Sequence, residues 1–135
     1  MSRASDLANV IASGSTNIVA EGTATTNLQQ GLAKAWVDKA ANGASMNDSF
    51  NIASLDDDGT GDFGLNYTNN FSTANYAVLG MADDGTTSTS AMGIDTTNGT
   101  NAAGSVDLEV YFSSGSSNRT NFDLRAYVAI HGDLA

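Results

Sequence analysis

The sequence predicts an all-β fold, an antiparallel β-sandwich of jelly-roll-like type carrying a short N-terminal helix and an extended arm, on three observations. About six segments alternate apolar and polar residues with a period of two, the pattern of half-buried strands. Stretches of Gly, Asn, Asp, Ser and Thr separate them at fairly regular spacing, as turns do in a sandwich. Charged residues make up only 15% of the chain, with five Lys and Arg among them, too few for surface helices laced with Glu–Lys pairs. At 135 residues there is room for one core. Residues 1–30 read as helix and arm, residues 31–135 as the sandwich.

Taken in order, residues 6–12 form a predicted two-turn helix: Ser5 caps its start, Gly14 stops it, and Leu7, Val10 and Ile11 share one face. Two turns are not stable alone, so this helix must dock on its own domain or on a neighbouring subunit. Residues 15–30 are rich in Thr, Asn and Gly around Ile18 and Val19 and read as an extended linker. Leu7, Val10, Ile11, Ile18 and Val19 are thus the predicted contacts of a partner-binding arm.

Residues 33–37 open the sandwich, with Trp36 placed as a core anchor, and a strand at 49–53 follows. Residues 62–67 alternate strictly and put Phe63, Leu65 and Tyr67 on one face. Residues 75–81 have little polar character, so they read as a central strand or one buried on both faces. Residues 83–104 are dominated by Asp, Gly, Thr, Ser and Asn around Ala91-Met92-Gly93-Ile94 and read as a long hairpin or loop. In 106–112, Val106, Leu108, Val110 and Phe112 point inward, with Asp107 and Glu109 outward. Residues 122–130 repeat the pattern with Asp123 and Arg125 outward, and the two segments read as a hairpin pair. No Pro blunts an edge strand, which leaves an edge open to a second subunit.

A net charge of −10 excludes a nucleic-acid partner, which would require a cationic stripe. The absence of Cys removes disulfides, thiolate metal sites and cysteine nucleophiles. No apolar run is long enough for a membrane span, and Met1-Ser2-Arg3-Ala4-Ser5-Asp6 lacks the form of a signal peptide, so if the protein works outside a cell, a route other than that secretion pathway is expected to put it there.

Chemistry has few candidates. Asp56-Asp57-Asp58-Gly59-Thr60-Gly61-Asp62 invites a calcium reading, with Asp56, Asp58 and Asp62 as candidate ligands. An EF-hand aligned on Gly59 would need acidic residues where Ser54 and Leu65 stand, so a Gly-containing hairpin turn is preferred. His131 is the single histidine, and no Gly-x-Ser-x-Gly elbow precedes it. The only glutamates, Glu21 and Glu109, both read as exposed. No catalytic residue and no cofactor are predicted. Trp36 and the four tyrosines could stack on sugars, but core packing accounts for most of them. Tyr111 and Tyr127 are out of phase with the inward sets and are the candidate surface contacts.

Four segments occur in order: Ala33-Lys34-Ala35-Trp36-Val37, Ser49-Phe50-Asn51-Ile52, Asp57-Asp58-Gly59-Thr60-Gly61-Asp62-Phe63 and Ala74-Asn75-Tyr76-Ala77-Val78. The series resembles a module common in structural and tail-fibre proteins of marine tailed bacteriophages, and the N-terminus is also similar to theirs. The chain departs from that pattern at Asp38-Lys39-Ala40-Ala41 and at Gly64. The resemblance implies a non-enzymatic component of the virion surface, in a fibre, the tail or the capsid decoration. Its expected partners are other virion proteins and further copies of itself, a trimer being favoured. A carbohydrate-binding adhesin that recognises a host surface glycan is the alternative.

Overall fold

A computed structural model describes residues 17–19, 25–27, 32–83, 91–113 and 119–135. The predicted helix, with Leu7, Val10 and Ile11, lies outside the described residues. The chain divides into two units, Met1–Leu32 and Ala33–Ala135. In the first, β1 (Asn17–Val19) pairs antiparallel with β2 (Thr25–Asn27), Ile18 opposite Thr26, so the segment read as a plain extended linker contains a strand pair.

The second unit is all-β in its described residues. Strands β3 (Ala35–Lys39), β4 (Met46–Phe50), β7 (Ala77–Asp83) and β11 (Arg125–His131) form one sheet in the order β4-β3-β11-β7. Strands β5 (Ile52–Gly59), β6 (Asp62–Tyr67), β8 (Ala91–Asn101) and β9 (Ser105–Ser113) form the other in the order β5-β6-β9-β8. The short β10 (Arg119–Asn121) lies beside the C-terminal half of β9, continuing the edge that β6 occupies along the N-terminal half. All pairings are antiparallel. Strand β11 returns to lie beside β7 after β8, β9 and β10 have been laid in the other sheet, so the chain crosses between the sheets on both sides of that excursion.

Alternation drives the two sheets together. Ala35 and Val37 from β3, Phe63, Leu65 and Tyr67 from β6, Val106, Leu108 and Val110 from β9, and Ala126, Val128 and Ile130 from β11 form one buried cluster with Ile52, Leu55 and Phe71. Around the C-terminus, Phe71 packs edge-on to Tyr67 at 4.9 Å and lies 4.7 Å from Tyr76, whose single O–H lies within hydrogen-bond distance of two carbonyls, Ser105 at 2.8 Å and Ala102 at 3.0 Å. Burial raises the pKa of both Tyr67 and Tyr76.

Within the sandwich the strand assignments depart from the sequence reading in four places. The strand read through 49–53 is broken at Asn51, which adopts φ 59° and turns the chain from the first sheet into the second. Residues 91–101 form a full strand although their Gly, Thr and Asn content argues for a loop, because β9 offers a free edge to pair with. The segments 106–112 and 122–130 are not a hairpin pair. β9 turns back only into β10, after which Phe122-Asp123-Leu124 crosses to the other sheet, where β11 pairs with β3 and β7. Finally β7 is neither central nor buried on both faces. Among the described residues its hydrogen-bonded neighbour is β11, and Leu79 and Met81 are exposed on its outward side.

Candidate interaction surface

The outer face of the first sheet collects the largest exposed apolar side chains. Register places Phe50 of β4 opposite Trp36 of β3, Trp36 opposite Ala129 of β11, and Ala129 opposite Leu79 of β7, so four residues form one row across four strands. The next row, one pleat along, is Asp48, Asp38, Tyr127 and Met81. Exposure is 52% for Phe50, 37% for Trp36, 57% for Leu79 and 65% for Met81. Of the seven large apolar side chains exposed among the described residues, four are here. Small Ala129 between Trp36 and Leu79 leaves a shallow groove of about 510 Å³, walled also by Tyr127 and Met81.

The groove is electrically quiet. Arg125 binds Asp38 at two points, Nε donating to Oδ1 at 2.8 Å and Nη2 to Oδ2 at 2.5 Å, and the guanidinium lies 4.9 Å from the Tyr127 ring. These hydrogen bonds hold the Asp38 carboxyl below its ordinary pKa and raise that of Arg125. Asn47 donates a further hydrogen bond to Asp38.

The outer face of the second sheet has the opposite character. The register Asp62–Glu109–Asp95 sets three carboxylates side by side on β6, β9 and β8. Arg119 bridges Asp95 at 3.1 Å and also binds Glu109. Asp56 and Asp107 lean from either side over Gly64, and Asn66 donates to Asp56 at 2.7 Å.

Of the residues singled out from sequence, Tyr111 and Tyr127 lie on opposite outer faces. Tyr127 borders the apolar groove, whereas Tyr111 rests on Gly93 beneath Arg119, whose guanidinium is 4.1 Å from the ring. The acidic motif builds the β5–β6 hairpin: Asp58 falls at a bulge, and Gly59 and Gly61 take positive φ. Asp56, Asp58 and Asp62 are not gathered. Among the described residues no three acidic or imidazole side chains converge as a metal cage requires. Ile18 and Val19 sit in β1. Trp36, read as a core anchor, is on the outer face instead, because Ala35 and Val37 take the inward positions of β3. Sequence reasoning misses Phe50, Leu79 and Met81 as contacts, and the signal for the latter two is the unbroken apolar run of 77–82. Comparison of the chain with family models, with curated proteins and with solved structures finds no match.

Proposed function

We propose that the chain is a non-enzymatic structural protein of a tailed-phage virion surface, an assembly module of a fibre, the tail or the capsid decoration that binds other virion proteins. The observation that carries the assembling role is the apolar row Phe50–Trp36–Ala129–Leu79 on a solvent-facing sheet. Contiguous exposed apolar patches of this kind mark docking sites, and aromatic residues, Met and Arg are the types enriched in them. The phage setting rests on the ordered motif series. In the fold those motifs supply Trp36 and Phe50 of the apolar row, the β5–β6 hairpin and Tyr76. Quantitative mass spectrometry of purified particles of the phage that encodes the chain tests the reading. Hundreds of copies per particle mean decoration, a few dozen or fewer mean fibre or tail, and absence overturns it.

The adhesin reading is favoured by the rings of Trp36, Phe50 and Tyr127 on one solvent-facing sheet, where sugar faces could stack. It is second because Leu79 and Met81 share the surface and its central polar groups, Asp38 and Arg125, already bind each other. A glycan array probed with wild type and Tyr127→Ala decides it: binding that the substitution abolishes would replace the assembly reading of this face.

A further inference from the structure

We infer that the outer face of β4-β3-β11-β7 pairs with the same face of a second copy of this chain, with Trp36 of each copy seated in the notch over the partner's Ala129. The inference rests on the assembly reading of that face and names its occupant. Four observations lead to it.

First, β7 has the composition of a strand covered on both sides. Val78 and Ala82 pack on the core while Leu79 and Met81 face out, and such two-faced apolar strands belong to sheets with both faces buried. Second, charge restricts what can cover it. The chain carries −10, and the other sheet sets Asp56, Asp62, Asp95, Asp107 and Glu109 against Arg119, an excess of negative charge that would make two copies meeting there repel. On the apolar face Asp38 is neutralised by Arg125, and the remaining carboxylates, Asp48 and Asp83, sit on the outermost strands.

Third, the apolar surface is concentrated in one patch. A closed ring of three requires two different complementary patches per copy, whereas a two-fold pair requires one patch complementary to itself. Only one is present among the described residues, which favours a two-fold pair over the expected trimer. Fourth, the patch is self-complementary. A two-fold axis along the strands, between β3 and β11, keeps each row at its own level and exchanges its ends. Phe50 then meets the partner's Leu79, and Trp36 meets the partner's Ala129, a ridge entering a notch. The strands of the two copies run nearly aligned, the common geometry of stacked sheets. Four strands about 4.8 Å apart, two of five residues and two of seven, make a footprint of roughly 20 Å by 20 Å, which standing side chains bring toward the ~800 Å² per partner of a stable pair.

Sedimentation of the full chain from ~1 μM to ~0.5 mM tests this, with an expected monomer–dimer equilibrium in the micromolar range. Leu79→Glu alone and Phe50→Lys alone each place two buried charges in the pair and should weaken it at least ~100-fold. Circular dichroism should stay unchanged, since both side chains are more than half exposed. Mixing the two variants should restore a heterodimer, because the introduced carboxylate of one chain then faces the introduced ammonium of the other while the second Phe50–Leu79 contact is native. A monomeric wild type at ~0.5 mM, or Leu79→Glu dimerising as wild type does, overturns the inference. Folded single variants that do not pair when mixed overturn this arrangement. A monomer still found in particles would leave the assembly reading standing, whereas a dimer absent from particles would overturn that reading and leave the pair.

Discussion

The backbone N–H of Gly61 donates to the Asp123 carboxylate at 2.7 Å, tying the tip of the β5–β6 hairpin to the crossing between β10 and β11, 62 residues away. Gly61 has φ 71°, and a Cβ there would lie 2.6 Å from both the Phe122 nitrogen and the Val110 oxygen, which are rigid backbone atoms. Gly61→Ala is therefore expected to cost roughly 2–4 kcal/mol in urea unfolding. Asp123→Ala, which leaves the N–H without its acceptor, should cost about 1–2 kcal/mol, and Asp123→Asn less because its carbonyl can still accept.

Asn51 performs the corresponding task between β4 and β5. Its Nδ2 donates to the carbonyls of Lys34 and Asn69, and its Oδ1 accepts the Asn69 N–H at 2.7 Å, all around a backbone at φ 59°. Asn51→Ala loses the hydrogen bonds and adds left-handed strain, for an expected cost of about 2 kcal/mol. Asn51→Gly keeps the φ and loses only the bonds, so it should cost about half as much. Equal losses in the two variants would remove the backbone contribution.

These two ties explain which parts of the fold are legible in the sequence. The inward phases of β6, β9 and β11 are readable because charged or polar residues mark their outward positions. The Asp-Gly-Thr-Gly motif is readable as a turn from its glycines. The break at Asn51 is not, since Asn tolerates left-handed backbone without announcing it and the flanking residues alternate straight through. Sequence misplaces the pairing of β9 and β11 because alternation gives the face of a strand and not its neighbour. It misplaces Trp36 and β7 for a related reason: an apolar side chain looks the same in sequence whether it faces a core or a docking surface. The candidate site is therefore present in the sequence as an excess of apolar residues and can be placed only once the register is known.

Lys39 points inward at the end of β3 and is 4% exposed, its Nζ donating to the Ala40 carbonyl at 3.0 Å and lying 5.1 Å from the Phe63 ring centroid. Burial lowers its pKa from the ordinary 10.5, against the opposing pull of Asp123 and Asp57. With the folded value below the unfolded one, the unfolded chain binds more protons between the two, and stability from this group rises with pH as 10.5 is approached. Subtracting the Lys39→Met profile from that of wild type isolates the rise from tyrosine ionisation. A flat difference between about pH 8 and 10.5 would refute it.

The Asp38–Arg125 pair predicts the acid limb. The hydrogen bonds from Arg125 place the folded pKa of Asp38 below its ordinary 3.8, so the folded state holds its proton less tightly than the unfolded state does. The resulting stabilisation is present above pH 3.8 and is lost as pH falls through the folded value. Thermal melts from about pH 5 to 2 should show wild type losing more stability than Asp38→Asn, whose uncharged amide cannot titrate. The same substitution leaves Arg125 as an uncompensated cation beside Tyr127 and the apolar row. If a second copy covers that row, Asp38→Asn must therefore also weaken self-association at neutral pH, and added salt should recover part of the loss by screening the two facing cations. A pair whose removal changed the acid limb but not association would locate Asp38 and Arg125 outside the covered area, and so limit the contact to the row through Trp36 and Ala129.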